Sequence, residues 1–173
     1  MIETLIIYST TDGQTVKICN KLVEVNSNEN VKLRALNDAL KEDLNSYNKI
    51  IIGASIRYGK HNQNVLDFVK KNIKVLNKAK TAFFSVNVVA RKKNKGTPST
   101  NPYVIKFIKK TKWQPTEIGV FAGKVDYPSY RLFDKHIIRF IMWLTKGPTD
   151  ISKSYEFTNW DEVIKFGKII NEM

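Results

Sequence analysis

The chain has 173 residues, 42% of them hydrophobic, which suits one domain with a core large enough to fold unaided. Its 29 Lys and Arg residues against 16 Asp and Glu give a formal net charge of +13, which favours an anionic partner: nucleic acid, an anionic membrane surface or an acidic small molecule. One cysteine, Cys19, excludes a disulfide framework, and two histidines far apart in the chain, His61 and His136, argue against zinc.

The N-terminal segment MIETLIIYST passes directly into a predicted strand. It lacks the basic region and the long apolar region of a signal peptide. No stretch of the chain approaches the roughly 18 consecutive apolar residues of a membrane-spanning helix. We therefore expect a reducing, cytosolic setting, in which contact with a membrane surface stays possible.

Short apolar runs recur along the chain and indicate strands. LIIY (5–8), IIIG (50–53), AFFSV (82–86) and IGVFAG (118–123) do not alternate with polar residues, which is typical of strands covered on both faces by helices. VKLRAL (31–36) alternates and indicates an edge strand. Strands separated by helices predict a doubly wound α/β domain with a parallel sheet, spanning residues 1–173.

Apolar residues at helical spacing fill the intervals between these runs. Thr158 and Asp161 are spaced as a capping pair for the last helix. Cys19 falls on the apolar side of the first helix, where we expect it to be a buried packing residue. The predicted stripes are Val16, Cys19, Leu22 and Val23; Leu66, Val69, Ile73 and Leu76; Val104, Phe107 and Ile108; and Trp160, Val163, Ile164 and Ile170.

The loop after the first strand, STTDGQT (9–15), has the composition of an anion site. Ser9, Thr10 and Thr15 offer hydroxyl donors, Gly13 permits a tight turn, and a helix starting near Gln14 adds its positive dipole end. Neither a triphosphate P-loop nor a GxGxxG dinucleotide motif is present. A single phosphate monoester fits this loop best, although an ordinary N-cap turn would show the same residues.

Two further loops supply the features that an FMN site needs beside its ring. SIRYG, after the third strand, offers Tyr58 followed by Gly59, and SVNVV follows the fourth strand at the same depth. Such loops lie at the carboxyl ends of strands, where ligands bind in open α/β sheets. On its own, Tyr58 could equally be a surface aromatic.

These motifs together resemble the flavodoxin-like, quinone-dependent protoporphyrinogen IX dehydrogenases of bacterial haem synthesis, which are linked to menaquinone. The resemblance rests on ST-x-DGQT, IGASIRYG, FFSVNVVARK, WQP (113–115) and AGKVDYPSYRLFDKHIIRFIMWLTKG (122–147), and covers nearly the whole chain. It implies a flavodoxin-like sheet of five parallel strands in the order 2-1-3-4-5. It also implies an FMN-dependent, six-electron oxidation of protoporphyrinogen IX to protoporphyrin IX, with electrons passed to a membrane quinone.

The resemblance also implies which residues hold FMN. Arg57 and Tyr58 are candidates for positioning the substrate, and no residue is assigned as a proton acceptor. Thr11 departs from the family, where a basic residue is expected, and so weakens one phosphate contact. The implied cofactor contacts are Ser9, Thr10, Thr11, Asp12, Gly13, Gln14 and Thr15 at the phosphate, and Ala54, Ser55, Ile56, Arg57, Tyr58, Gly59, Ser85, Val86, Asn87 and Val88 beside the ring.

The excess positive charge gathers in the predicted functional loops. Porphyrinogen carries two propionates, so a cationic rim would attract and orient it, although a basic surface can also serve solubility alone. We expect this role for Arg91, Lys92 and Lys93, together with Arg57, Lys60 and Lys95.

A segment at about 124–150 is an addition that a doubly wound domain does not require. Arg131, Lys135 and Arg139 recur every four residues beside a wide apolar arc, a pattern typical of helices at a membrane surface. We therefore expect this insert to dock a peripheral protein on the anionic, cytoplasmic side of the cell membrane. The alternatives are packing on its own domain or on a homodimer partner.

Three other functions share part of this pattern. An FMN-dependent NAD(P)H:quinone reductase shares the fold and cofactor, and a flavodoxin-type electron carrier shares the fold but is typically acidic. A nucleic-acid-binding module would explain the charge, yet no recognition motif is present, so we expect no nucleic-acid partner.

Overall fold

Five parallel strands form the centre of the molecule in the computed structural model, which describes residues 3–173. The two remaining residues of the predicted domain, Met1 and Ile2, lie outside the described residues. The strands are β1 (Glu3–Ser9), β2 (Asn30–Ala35), β3 (Lys49–Arg57), β5 (Lys80–Val86) and β6 (Glu117–Phe121).

The sheet order is β2-β1-β3-β5-β6, so the predicted parallel order 2-1-3-4-5 is confirmed. The register pairs Ser9 with Ala54 and Ser55 with Val86, which brings the ends of β1, β3 and β5 to one edge. A short strand, β4 (Lys60–His61), turns back antiparallel to the end of β3. The predicted edge strand, β2, lies at the end of the order.

Helices cover both faces of the sheet, because its strands are apolar on both faces. On one face the core combines the sheet with α2 (Leu36–Ala39), α3 (Gln63–Lys71), α4 (Ile73–Leu76) and α5 (Pro102–Thr111). On the other face, α1 (Gln14–Val25) and α7 (Trp160–Glu172) pack on Ile6, Ile51 and Phe84. Cys19 is fully buried in this second core, as predicted.

Two local predictions were wrong. The stripe Leu66, Val69, Ile73 and Leu76 does not form one helix, because α3 ends at Asn72, whose side-chain amide donates to the carbonyl of Phe68 over 2.9 Å.

The cap of the last helix also differs from the prediction. Asn159, rather than Thr158, caps α7 by accepting from the backbone N–H groups of Asp161 and Glu162. The Thr158 hydroxyl instead donates to the carbonyl of Ala122. Asparagine side chains readily hydrogen-bond backbone groups at the ends of helices. The spacing of apolar residues carries no information about such bonds, so it did not predict these two helix ends.

Between β6 and α7, the chain forms a small layer that we call the insert. It contains β7 (Lys124–Asp126), α6 (Leu132–Leu144) and β8 (Ser154–Glu156), with β7 and β8 paired antiparallel, and so extends past the predicted boundary at 150. A separate apolar cluster around Val125, Tyr127 and Met142 holds the layer together. Among residues 3–173, no helix has the length and apolar character needed to cross a membrane.

Candidate functional site

A cleft opens where β1, β3 and β5 end, between the sheet and the insert. It encloses about 760 Å³ of space, part of it open to solvent, which is the size of a small-molecule or cofactor site. Three loops of the sheet and the inner face of α6 form its walls. The residues that line it are Thr10, Asp12, Gln14, Thr15, Ser55, Ile56, Arg57, Tyr58, Gly59, Val86, Asn87, Val88, Val89, Tyr103, Gly123, Lys124, Val125, Tyr130, Ile138, Ile141, Met142 and Thr145.

The loop after β1 wraps around the first turn of α1. Gly13 precedes the helix with φ +82°, a left-handed conformation that L side chains rarely adopt, and its N–H donates to the Thr10 hydroxyl over 3.0 Å. The first N–H groups of α1 have no partner within the helix, and Gln14 and Thr15 at this end of α1 line the cleft. The geometry is that of an anion site at a helix N-terminus.

Two buried polar atoms in this loop have no hydrogen-bond partner among residues 3–173. They are the hydroxyl of Thr15, which is fully buried, and the side-chain carbonyl of Gln14. A buried polar atom without a partner costs free energy, so such atoms are informative when they line a cavity. The Thr15 hydroxyl is placed to donate to an oxygen of a phosphate group, and the residues present therefore fit the phosphate end of FMN.

The loop after β3 is a tight turn that presents Tyr58. Arg57 pairs with Lys60 across the turn, and both central residues, Tyr58 (φ +48°) and Gly59 (φ +73°), have positive φ. Two positive φ values are the requirement of a type I′ hairpin, whose twist matches that of the strands. The turn fixes the backbone that carries the Tyr58 ring, which lines the cleft and stays about half exposed.

Arg57 joins the two sides of the cleft. Its guanidinium lies 2.9 Å from the carboxylate of Asp12 in the first loop and 3.2 Å from that of Asp134 in α6. It also lies over the rings of Tyr58 and Tyr130, 5.2 and 5.0 Å from their centroids. The Tyr58 hydroxyl donates to Asp134 as well. Arg57 is thus held by both carboxylates and closes one end of the cleft.

Tyr130 adds a second contact between the insert and the first loop. Its hydroxyl donates to Asp12 over 3.2 Å, and burial raises the pKa of Tyr130 to about 12. The phenol therefore keeps its proton at neutral pH and remains a donor.

A buried polar chain lies below the loop after β5. The His61 ring contacts the Ser85 hydroxyl at 3.0 Å, and the Asn87 amide donates to the same hydroxyl over 3.1 Å. Asn101, which caps α5, donates to the side-chain oxygen of Asn87. Burial lowers the pKa of His61 to about 4, so the ring is neutral near pH 7. This chain fixes the orientation of Asn87 at the cleft wall.

The fourth wall is apolar and comes from α6. Ile138, Ile141 and Met142 follow helical spacing and line the cleft. Arg91 anchors the end of this helix by donating to the carbonyl of Thr145 over 2.8 Å. The insert therefore supplies one apolar wall of the cleft.

Comparisons with known proteins agree with this geometry. A flavodoxin domain family model matches residues 5–152. Protoporphyrinogen IX dehydrogenase (quinone) from Escherichia coli (strain K12) is 39% identical over 170 residues, which cover 97% of this chain and 94% of that protein.

The chain belongs to the flavodoxin-like protoporphyrinogen IX dehydrogenase (quinone) family. A family member from Leishmania major is 40% identical over 95% of this chain and 72% of its own length.

Solved structures agree with the fold of this dehydrogenase family. An archaeal flavodoxin matches 99% of this chain with a TM-score of 0.54 at 13% identity. A flavoprotein from Lactobacillus acidophilus, solved in complex with FMN, matches 69% of this chain and 93% of its own, with a TM-score of 0.50 at 17% identity.

Most residues for which the family resemblance implied a cofactor contact come together at the cleft. Their role in binding a cofactor stays a prediction. Five of them do not line the cleft: Ala54 and Ser85 are fully buried in the sheet, and the remaining three belong to the first loop. Those three are Ser9, Thr11 and Gly13. The twelve that line it are Thr10, Asp12, Gln14, Thr15, Ser55, Ile56, Arg57, Tyr58, Gly59, Val86, Asn87 and Val88.

Of the nine basic residues predicted for substrate or membrane contact, Arg57 lines the cleft and the other eight do not. Arg91 is engaged with the carbonyls of Val88 and Thr145, which makes it an anchor of the insert. The remaining seven lie on the surface, half-buried or exposed. They are Lys60, Lys92, Lys93, Lys95, Arg131, Lys135 and Arg139.

Sequence reasoning missed the residues that the insert and α5 bring to the cleft. Tyr130 and Asp134 contact the first two loops, and Tyr103 lines the opposite side. The helical spacing of Ile138, Ile141 and Met142 indicates that α6 has a second apolar face, which packs inward. The sequence alone could have shown this inner face in addition to the exposed apolar arc.

Proposed function

We propose that this protein binds FMN in the cleft and oxidises protoporphyrinogen IX to protoporphyrin IX, with a membrane quinone as the electron acceptor. The relatives that are 39–40% identical along nearly the whole chain carry this activity and a quinone in their name. The cleft supports the proposal independently, since it combines a loop at a helix N-terminus with apolar wall residues such as Ile56, Val86 and Ile138.

The observation that carries the proposal is the buried Thr15 hydroxyl at the start of α1, which has no hydrogen-bond partner within residues 3–173. Together with the N–H groups of the first helical turn, it would hold the phosphate of FMN. Tyr58, Val86 and Val88, which line the cleft, would hold the ring of FMN. Bound there, FMN would supply the two-electron redox chemistry.

The chain's own residues would bind and orient FMN and the substrate and would shield them from water. Arg57 links Asp12 to Asp134 and keeps the insert closed over the cleft. Asn87, held by Ser85 and Asn101, would fix the wall of the cleft beside the cofactor. Ile138 and Met142 would exclude water from the reacting face. Because protoporphyrinogen IX loses six electrons, three two-electron cycles complete the oxidation.

We also propose that α6 rests on the anionic, cytoplasmic face of the cell membrane, where a lipid quinone is available. Five of the eight large hydrophobic side chains that are exposed in residues 3–173 belong to this helix: Leu132, Phe133, Phe140, Trp143 and Leu144. Arg131 and Arg139 are exposed beside them, as is Lys146 at the helix end. An apolar surface edged with cations suits the headgroup region of a bilayer.

The direct test is to reconstitute the purified protein with FMN and follow protoporphyrin fluorescence from protoporphyrinogen IX. We expect turnover that depends on both FMN and an added quinone. A protein that binds FMN, is reduced rapidly by NAD(P)H and leaves protoporphyrinogen untouched would contradict the proposed substrate. That result would instead indicate an NAD(P)H:quinone reductase.

A further inference from the structure

A second, smaller cavity adjoins the cleft. It lies between β4, the start of α3 and one face of α5, and shares Gly59 and Tyr103 with the cleft. Its space is about 360 Å³, including its open mouth. We call it the lysine pocket; its lining is Gly59, Lys60, His61, Gln63, Leu66, Tyr103, Lys106, Phe107 and Lys110.

The floor of the lysine pocket is apolar and rigid. The His61 ring packs edge-on against Phe107, with 5.1 Å between ring centroids, and Phe107 stacks on Phe83 at 4.2 Å. Leu66 completes this floor, and all four side chains are buried. His61 is neutral at pH 7, so the floor itself carries no charge that could bind an anion.

The rim, in contrast, carries three cations and no carboxylate. Lys106 and Lys110 lie one turn apart on α5, and Lys60 lies on the neighbouring strand β4. Among residues 3–173, none of these three ammonium groups has a salt-bridge partner. Three like charges around one concavity repel one another, so the arrangement is favourable when an anion is present.

The arginines nearest the cleft are already engaged. Arg57 is paired with Asp12 and Asp134, and Arg91 donates to backbone carbonyls. Both terminal nitrogens of each guanidinium therefore already have a partner. The lysine pocket opens onto the cleft and offers three cations that have no salt-bridge partner among residues 3–173.

We propose that the lysine pocket is the subsite that binds the propionate carboxylates of the tetrapyrrole substrate. The identity of this ligand rests on the proposed function. The shared residues Gly59 and Tyr103 let one molecule occupy both cavities, with its carboxylates at the lysines and its ring over the cleft. Tyr103, half-buried at the junction, provides an aromatic edge against which the ring packs.

The test compares binding of protoporphyrin IX with binding of its dimethyl ester, both in the same detergent and followed by porphyrin fluorescence. The holoprotein is compared with Lys106→Ala/Lys110→Ala. A matched control, Lys70→Ala/Lys109→Ala, removes two exposed lysines that lie outside the pocket. We expect the diacid to bind the wild type at least tenfold more tightly than the ester. The pocket variant should lose about fivefold affinity for the diacid per lysine, while its affinity for the ester stays unchanged.

Unchanged diacid affinity in the pocket variant, or an equal loss in the control, would overturn this subsite. Turnover separates the two proposals. A wild type that discriminates the diacid through the lysines but does not oxidise protoporphyrinogen would support the subsite and contradict the proposed function. Turnover with an unaltered KM in the pocket variant would retain the function and remove the subsite.

Discussion

Thr15 is completely buried, yet its hydroxyl has no hydrogen-bond partner in the part of the chain that the structure describes. Without a ligand, the hydroxyl adds nothing to folding, because its desolvation is not repaid. With a phosphate in place, it would make a hydrogen bond to a charged group, which contributes roughly 1.5–3 kcal/mol.

Thr15→Val therefore tests the phosphate site with little change in shape. We expect FMN affinity to fall by roughly tenfold to a hundredfold, measured by flavin fluorescence, because one charged hydrogen bond is lost. We also expect the free energy of unfolding of the FMN-free protein to stay the same or to rise. Thr100→Val is the control, since Thr100 is exposed and outside the cleft lining. Equal FMN affinity in wild type and Thr15→Val would contradict the assignment.

His61 links stability to pH through its burial. Its pKa lies near 4 in the folded chain, below the ordinary value of 6.5. Above pH 6.5 the ring is neutral in both states, and its stabilisation is fully present. As the pH falls toward 4, the unfolded chain takes up a proton that the folded chain does not, so stability is lost by roughly 1.4 kcal/mol per pH unit.

Between pH 7 and about pH 5, we expect the free energy of unfolding to fall by roughly 2 kcal/mol more in the wild type than in His61→Asn. Urea denaturation at the two pH values measures this difference. His136→Asn serves as the control, because His136 is exposed on α6. If both variants keep the wild-type pH dependence, another group is responsible.

At the scale of elements, the insert is attached to the sheet domain by few polar contacts. Asp134 forms an ion pair with Arg57 and accepts a hydrogen bond from Tyr58, both from the loop after β3. At the far end of α6, Arg91 donates to the carbonyl of Thr145. The apolar cluster under α6 is separate from the two cores of the sheet. Such an element can open locally while the sheet stays folded.

Asp134→Ala should loosen α6 specifically. Losing the ion pair and the hydrogen bond removes about 1 kcal/mol from the closed state, so amide exchange in 132–144 should speed up about fivefold. Exchange in β3 and β5 should not change. Asp150→Ala removes an exposed carboxylate of the insert that contacts only Ser152 and Lys153 and is the control. Uniform acceleration across the chain would indicate global destabilisation instead.

How well the sequence predicted each element depended on the kind of interaction that stabilises that element. The sheet was predictable because β1, β3, β5 and β6 are apolar runs whose burial decides their structure. The break at Asn72 and the cap at Asn159 depend on single side-chain hydrogen bonds, which periodicity does not register. The first loop was recognisable from its hydroxyls and Gly13. The contribution of Tyr130 and Asp134 was not, because only the folded insert carries them to the cleft.

At the scale of the whole molecule, two groups of basic residues contribute to the net charge of +13, and we propose a different role for each. Lys60, Lys106 and Lys110 surround a concavity that opens onto the cleft, whereas Arg131 and Arg139 edge the exposed face of α6. α6 presents its inner face to the cleft and its outer face to the surroundings. A membrane docked on the outer face would therefore lie one helix diameter from the proposed redox site.

Reversing the charge beside α6 tests this arrangement. In Arg131→Glu/Lys135→Glu/Arg139→Glu, binding to vesicles of anionic phospholipid should weaken by more than a hundredfold, because each cation contributes on the order of 1 kcal/mol at such a surface. Trp143, which is 66% exposed, should give a blue-shifted fluorescence on binding in the wild type.

The control Lys70→Glu/Lys71→Glu/Lys74→Glu makes the same change in net charge on α3 and α4, away from the insert. Because the proposal assigns docking to the α6 surface, this variant should keep most of its vesicle binding and the Trp143 signal. Equal losses in both triple variants would mean that net charge alone attracts the protein to the bilayer. A wild type that ignores vesicles but dimerises, with Phe140 and Trp143 protected, would mean that a second copy of the chain covers this face.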